Sequence, residues 1–277
     1  MSFGRHKVKK YWRKSRRQVI DFYKDKGFGI VESSPYDNIY HCCVQKTASQ
    51  WFKSVFNDIL FYKYTGLPEQ PYNQVGLKED SYGIVPLRRV ATPLYISYQD
   101  YLAIPKPSHY KTFFIMRDPR DIVVSFYFST KYSHPLMNYI PRMRQELEEV
   151  DIKEGLKYVI HALEELSIFE ALRSWANVND EQHQVFKYED LANNNRAFLE
   201  QLLCYLDIKL PPEKFDIFVN RHTFESHSKG RLQGKQDINS HYRKGISGDW
   251  KNYFEEEVME EFNTVAGDLV DILGYEH

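Results

Sequence analysis

The sequence predicts an α/β fold in which a central parallel β-sheet is flanked by helices. Short apolar segments rich in β-forming residues occur at 38–44, 110–116 and 184–188, and each precedes a segment with helical periodicity. Strands that alternate with helices pair in parallel through right-handed crossovers. Because ligands in such sheets bind beyond the carboxyl ends of the strands, we expect the three loops that follow these segments to form a site.

The predicted helices share apolar residues at three- and four-residue spacing, and they cover 51–64, 122–129, 146–176 (one long or two medium helices), 196–206 and 255–273. Pro119 suits the entry of the second helix. Residues 66–93 are rich in Gly, Pro and Tyr, and residues 225–248 are polar. Both stretches are therefore predicted to be irregular.

The composition is that of one globular domain, predicted to span 1–277. The chain is 42% hydrophobic and 27% charged, with a net charge of −1, which disfavours nucleic acid as a partner. Cys42, Cys43 and Cys204 lack the spacing of a disulfide framework or a zinc site, so we expect no metal and a reducing compartment. No apolar run reaches the roughly 18–20 residues of a membrane span, and no secretory signal is recognisable. The sequence thus predicts a soluble cytoplasmic protein.

Residues 1–26 form a basic arm that carries several Lys and Arg residues and, between Arg5 and Arg17, no acid. We expect a solvated, partly helical segment. Binding of nucleic acid or anionic lipid, or attraction of an anionic cofactor, are alternatives that stay open for this arm.

The first strand-to-helix loop, 45–50, has the composition of an anion site. Free N–H groups and the helix dipole favour an anion there, and Lys46, Thr47 and Ser49 add a cation and two hydroxyls. The alternative is an ordinary helix start capped by Ser49. The Gly-x-x-x-x-Gly-Lys-Ser/Thr pattern of a Walker A loop is absent, which disfavours a standard P-loop kinase.

The second loop begins with Arg117 at a strand end, and Ser125 follows about two helical turns later. Both side chains could converge on one phosphate. The alternative is a surface ion-pair network, in which Asp118, Arg120 and Asp121 are expected to take part.

The segment 243–252 places Arg243 and Lys244 beside Gly245. Arginine offers a planar fork of donors, lysine a point charge, and glycine lets backbone N–H groups approach an anion closely. This pattern favours a phosphate grip, although a solvated basic loop is the alternative.

Four segments in this order resemble the cytosolic-type sulfotransferases that use 3′-phosphoadenosine-5′-phosphosulfate (PAPS): 46–51, 117–125, 188–190 and 243–250. The resemblance runs across most of the chain. It implies a P-loop-NTPase-like sulfotransferase fold and transfer of a sulfuryl group to a hydroxyl or amine of a small-molecule acceptor. The product nucleotide would be adenosine 3′,5′-bisphosphate (PAP), and no metal is implied.

The resemblance also implies a role for each matching residue. Lys46 would bridge the leaving phosphate and the sulfuryl group, and Tyr188 would contact the adenine. The 5′-phosphosulfate would be wrapped by Thr47, Ala48, Ser49 and Gln50; the adenine would lie between Trp51 and the Thr223-Phe224 pair; and the 3′-phosphate would be held by Arg117, Ser125, Arg243, Lys244 and Gly245.

The sequence departs from the family pattern in three places. Gln45, Thr47 and Ala48 replace the usual Pro, Ser and Gly of the first loop, and Ala48 is harmless only where φ is negative. The dimer motif after Trp250 is absent, so the oligomeric state stays open.

The third departure concerns the histidine that usually precedes the second strand, which is also missing. Candidates for the general base are His134, Asp100 and Tyr95, of which His134 has the most suitable ordinary pKa. The alternative interpretation of His134 is a hydrogen-bonded loop residue, and that of Asp100 is a helix cap.

Two alternatives to a sulfotransferase remain at this point. One is a nucleotide-dependent kinase of related fold, and the other is a non-catalytic nucleotide-binding protein that lacks the base. The acceptor would contact segments 66–108, 130–145 and 226–242, and a polar natural product is one possible class.

Overall fold

The structure is a computed structural model that describes residues 29–70 and 83–276. The predicted basic arm, 1–26, and residues 71–82 of the first acceptor segment lie outside the described residues.

In the part of the chain that the structure describes, five strands form one parallel sheet, as predicted from the alternation of strands and helices. In chain order they are β1 (Asn38–Cys43), β2 (Glu69–Gln70), β3 (Arg89–Tyr95), β4 (Tyr110–Met116) and β5 (His183–Lys187). Their order across the sheet is β2-β3-β1-β4-β5. The chain therefore leaves β1 toward one edge and later returns to its other side, so that the end of β1 lies at the topological switch point where such sheets bind ligands.

Helices cover both faces of the sheet. They are α1 (Ser49–Asn57), α2 (Ile59–Lys63), α3 (Tyr98–Ala103), α4 (Pro119–Phe128), α5 (Ile140–Glu148), α6 (Ile152–Glu165), α7 (Ile168–Trp175), α8 (Tyr188–Asn193), α9 (Asn195–Tyr205), α10 (Pro212–Arg221), α11 (Phe224–His227), α12 (Glu256–Ala266) and α13 (Leu269–Ile272). A π-helical turn, Ser129–Ser133, extends α4, and a 3-10 turn covers Asp249–Asn252.

Successive side chains of each strand point to opposite faces of the sheet, so the core consists of two clusters, one on each face. Phe114 and Met116 of β4 pack with α4, α6, α7 and α12, whereas Phe113 and Ile115 pack with α1, α9 and α10. β1 is buried throughout, and its two cysteines and the exposed Cys204 are all free thiols. The sheet centre is thus fixed by apolar contacts on both sides, and the loop after β1 projects from a rigid support.

The prediction that 66–93 is irregular was wrong at two places, because β2 covers Glu69–Gln70 and β3 begins at Arg89, where it pairs with β1 on one side and β2 on the other. Pro93 lies within this strand, where a missing N–H removes one ladder donor. The register between β1 and β3 shifts between Tyr40 and Cys42, which accommodates the irregularity.

Several predicted helices are divided by caps. The predicted helix 51–64 ends at Asn57, because Asp58 is extended and its carboxylate accepts from the Leu60 N–H to start α2. The segment 146–176 holds parts of three helices, and 255–273 is interrupted at Gly267, where φ is 61°. The apolar periodicity continues across such breaks, so it did not reveal them.

Candidate active site

A cavity of about 220 Å³ opens at the carboxyl ends of the strands. The loop after β1 contributes Lys46 and Ser49 to its wall, β4 and α4 contribute Arg117 and Ser125, and α8 contributes Tyr188. The C-terminal segment 241–246 closes it from the opposite side. The predicted meeting of the strand-to-helix loops is therefore seen in the structure.

The loop after β1 has an unusual backbone conformation. Lys46 and Ala48 both adopt positive φ, 70° and 63°. Ala48 occupies the N-cap position of α1 and supplies no side-chain hydrogen bond, so the first N–H groups of this helix have no capping side chain. An anion can take the place of the cap.

The hydroxyls of this loop are partly committed to the protein. Thr47 is buried and donates to the Val44 carbonyl at 2.7 Å, and its side chain does not line the cavity. Ser49 is not the cap of α1, as the alternative interpretation had it; its hydroxyl accepts from Tyr95 Oη at 2.8 Å.

Arg117 is held in a fixed pose at the end of β4. Its Nη1 donates to the Lys46 carbonyl at 2.8 Å, and its guanidinium lies 4.0 Å from the centre of the Tyr188 ring. Ser125 lines the same wall. Among the described residues, the buried Nε of Arg117 has no hydrogen-bond partner, and neither has the buried Nε of Arg243. Two guanidinium donors are thus left for a bound anion.

Arg243 and Lys244 share one carboxylate. Asp249, which is buried, accepts from Arg243 Nη2 and from Lys244 Nζ, each at 2.5 Å. Burial would raise the pKa of Asp249, but the hydrogen bonds from the two cations outweigh it and lower that pKa. The basic pair is therefore prearranged around a counter-ion at the cavity wall.

Buried contacts join segment 117–125 to segment 243–250. The Asp121 carboxylate accepts from the N–H groups of Gly248 at 2.8 Å and Trp250 at 2.9 Å. The Arg120 guanidinium lies 3.7 Å from the Trp250 ring centre and pairs with Asp118 at 2.9 Å. The interpretation of these charged residues as a surface network was wrong, because each of the three is at most 6% exposed. They hold segments 117–125 and 243–250 together.

Two aromatic residues and a glycine border the other end of the cavity. Trp51 is anchored by its Nε1, which donates to the His222 carbonyl at 2.7 Å, and Phe224 also lines the cavity. Gly245 has φ 72°, and a Cβ on it would lie 2.3 Å from Phe224 Cδ2. A glycine is therefore required at this position for both conformation and space. Thr223 does not line the cavity; it caps α11 by accepting from the Ser226 N–H.

The electrostatics of the cavity centre on Lys46. Desolvation and the positive charges of Arg117 and Arg243 lower its pKa from the ordinary value to about 7. An anion that enters the cavity would favour the protonated form of this lysine and raise its pKa. The cavity thus combines a helix N-terminus and several cations with a flat aromatic border.

Comparison with known proteins agrees with this geometry. Residues 80–274, more than half of the chain, match the family model described as a sulfotransferase domain. The chain belongs to the sulfotransferase family. The first loop, 45–51, precedes the matched residues, so its assignment to the site depends on the structure.

Relatives and solved structures point to the same family. The chain is 26% identical to sulfotransferase 2A1 from Homo sapiens over 67% of its own length, and 28% identical to sulfotransferase 1B1 from Mus musculus over 56%. It spans 66% and 52% of the lengths of these relatives. A crystal structure of mouse sulfotransferase SULT7A1 complexed with PAP superposes with a TM-score of 0.55 at 18% identity, covering 87% of this chain and 86% of that one. Retinol dehydratase in a complex with retinol and PAP gives a TM-score of 0.52 at 16% identity, covering 87% and 83%. These structures show the sulfotransferase fold.

The three base candidates lie in different surroundings. His134 lines the cavity, and its Nδ1 lies 2.9 Å from the Pro135 carbonyl, which fixes that nitrogen as the donor and leaves Nε2 as an acceptor. Burial raises the pKa of Tyr95, so this phenol stays protonated and acts as a donor to Ser49. Asp100 does not line the cavity and is not the cap of α3. Ser97 is the cap and accepts from the Asp100 N–H at 3.1 Å, while the Asp100 carboxylate accepts from the Ser97 hydroxyl at 2.7 Å.

His241 is a titratable cavity residue that the sequence analysis did not name. His241 lines the cavity from the polar segment 225–248. It keeps an exposed edge, yet desolvation and the positive charge of Lys46 lower its pKa. No motif marks this residue, because its position depends on how the long loop folds back.

Within residues 29–70 and 83–276, no group of three or more His, Cys, Asp or Glu side chains is placed to hold a metal ion. No helix in the same part of the chain is long and apolar enough to cross a membrane.

Proposed function

We propose that this protein transfers a sulfuryl group from PAPS to a hydroxyl or amine of a small-molecule acceptor. The observation that carries this proposal is the cavity itself, which has cations and an uncapped helix at one wall and Trp51 and Phe224 at another. The unpartnered donor nitrogens of Arg117 and Arg243 fit a phosphate, which supplies the missing acceptors. The same arrangement does not favour the kinase alternative, because the chain belongs to the sulfotransferase family and has no Walker A loop.

The chain's own groups supply positioning and charge stabilisation. PAPS supplies the sulfuryl group, and the reaction is an in-line displacement in which negative charge develops on the leaving oxygen. Protonated Lys46 and the first N–H groups of α1, including those of Ser49 and Gln50, would bind the phosphosulfate; the uncapped start of α1 and the place of these residues in the cavity lining support this. Arg117, Ser125, Arg243, Lys244 and the Gly245 N–H would hold the 3′-phosphate.

His134 is proposed as the general base. Its Nε2 is left as an acceptor by the hydrogen bond at Nδ1, and an imidazole with this tautomer can take the proton of an attacking hydroxyl. The acceptor would enter beside Tyr139 and Ile140, which line the cavity next to His134. We further propose that the chain acts as one domain in a reducing compartment such as the cytoplasm, where its free cysteines persist.

The proposal is tested by ligand-induced stabilisation and by transfer. PAP should raise the melting temperature of the protein, since a ligand that binds only the folded state stabilises it, whereas ATP should not. Transfer of radiolabelled sulfate from PAPS to a panel of phenols, alcohols and amines should then identify an acceptor class. Lys46→Ala should abolish this transfer while the far-ultraviolet circular dichroism stays that of the wild type. Stabilisation by ATP and not by PAP would refute the proposal.

A further inference from the structure

Asn195, the first residue of α9, lines the cavity in the region of Trp51 and Phe224. Its Nδ2 donates to the His222 carbonyl at 3.0 Å. The same carbonyl accepts from Trp51 Nε1 at 2.7 Å, so one backbone oxygen anchors both side chains. Asn195 is therefore fixed relative to the indole that borders the proposed adenine site.

The orientation of the Asn195 amide follows from this contact. The His222 carbonyl can only accept, so the amide must turn its NH₂ group toward it, and Oδ1 must point elsewhere. Within the part of the chain that the structure describes, Oδ1 is buried and has no hydrogen-bond partner. A buried acceptor without a donor is unfavourable, and a ligand that brings an N–H group would satisfy it.

Capping of α9 does not use the Asn195 side chain. The cap of α9 is Asn194, whose side chain accepts from the Ala197 N–H at 3.0 Å. The hydroxyl of Thr223, which precedes Phe224, is engaged with Ser226 and lies outside the cavity lining. Asn195 Oδ1 is thus an acceptor that folding leaves unused at the aromatic end of the cavity.

We propose that Asn195 Oδ1 accepts a hydrogen bond from the exocyclic amine of adenine and thereby selects adenine over 6-oxopurines. This inference rests on the proposed function, because it takes the region bordered by Trp51 and Phe224 as the site of the base. Adenine presents an N–H donor at the 6-position. A 6-oxopurine presents an oxygen acceptor there, which cannot hydrogen-bond to the Asn195 oxygen. A site built to hydrogen-bond one group rejects the analogue that lacks it, because a buried polar atom is then left unpaired.

The test uses three nucleotides that share both phosphates: PAP, its des-amino analogue purine riboside 3′,5′-bisphosphate, and inosine 3′,5′-bisphosphate. Isothermal titration calorimetry measures the affinity of the full chain and of Asn195→Ala for each. We expect the wild type to bind PAP about 10- to 100-fold more tightly than the des-amino analogue, and inosine 3′,5′-bisphosphate more weakly still. In Asn195→Ala the ratio between PAP and the des-amino analogue should fall to about 1–3.

Asn194→Ser is the matched control, because it alters the neighbouring amide, keeps a cap and should retain the wild-type ratio. An undiminished ratio in Asn195→Ala would overturn the inference, as would equal binding of PAP and the des-amino analogue by the wild type. If Asn195→Ala fails to fold, the wild-type series alone decides, and inosine 3′,5′-bisphosphate binding as tightly as PAP refutes the selection of adenine. A protein that binds none of the three nucleotides contradicts the proposed function, which is a distinct outcome.

Discussion

Binding of PAP should be accompanied by uptake of a proton at Lys46. In the free protein the charges of Arg117 and Arg243, together with desolvation, lower the pKa of Lys46 to about 7. A bound polyanion offsets those charges and restores the pKa toward its ordinary value near 10.4. Because the pKa rises on binding, the complex holds more protons than the free protein between these two values, and affinity must fall as pH increases through this range.

The expected size of the uptake follows from the two pKa values. At pH 8 the free protein carries about 0.1 proton on Lys46 and the complex nearly one, so about 0.9 proton is taken up. At pH 6 the uptake at this residue falls to about 0.1. Above pH 7 the dissociation constant of PAP should increase by up to tenfold per pH unit, until the ordinary pKa is approached.

Calorimetric titrations in buffers of different ionisation enthalpy measure this uptake directly. The PAP phosphates and cavity histidines also exchange protons, so the informative quantity is the difference between the wild type and Lys46→Arg, which keeps a cation that does not titrate in this range. Lys46→Met, which has neither charge nor titration, is a second control. Equal proton uptake at pH 8 in the wild type and in Lys46→Arg would show that Lys46 is already fully protonated in the free protein, and the reasoning would be refuted.

Four further substitutions test the architecture of the site. Gly245→Ala should lower PAP affinity at least about tenfold by calorimetry, because its Cβ would meet an aromatic ring at 2.3 Å; Gly234→Ala has a similar positive φ but open space and should not. Asp121→Ala should lower the free energy of unfolding in urea by about 3–5 kcal/mol, since it leaves the buried Arg117 cation and two N–H groups without this carboxylate. A change below about 1 kcal/mol would contradict a stabilising role for these buried contacts. Ala48→Gly should raise that free energy by up to about 1 kcal/mol by relieving the positive φ, and a loss of stability would argue against strain there. His134→Gln should reduce kcat about 100- to 10,000-fold for an alcohol acceptor while PAP affinity stays within about twofold, and an unchanged kcat would exclude it as the base.

The sequence predicted the central elements because their signals are local. β1 and β4 are short segments rich in apolar and β-forming residues, and each is followed by polar residues and then a helix. Once strands and helices alternate, parallel pairing places every strand-to-helix loop at one end of the sheet. The meeting of Lys46, Arg117 and Tyr188 in one cavity could therefore be expected before any coordinates were known.

The features that the sequence did not predict depend on contacts between distant residues. Pro93 disfavours a strand locally, so the sequence predicted a loop where β3 begins. Pairing with β1 on one side and β2 on the other overrides that local preference. The sequence indicated a surface ion pair for Asp121. Its carboxylate instead accepts from the N–H groups of Gly248 and Trp250, which are more than a hundred residues away in the chain. The same is true of Asn195, whose unpartnered oxygen becomes visible only when the His222 carbonyl is placed beside it.

The carboxylates of the site explain how a nearly neutral protein sustains a cationic cavity. Without a bound anion, Arg243 and Lys244 are balanced by Asp249, and Arg117 lies 3.7 Å from the carboxylate of Asp121. These pairs limit the mutual repulsion of the cations, which otherwise opposes folding. An incoming phosphate must therefore compete with Asp249 for the same donors, and a singly charged anion has little advantage over the carboxylate already there. A group of about two negative charges with three acceptor oxygens offers more, so the arrangement favours a terminal phosphate over a singly charged sulfate ester or carboxylate at this end of the cavity.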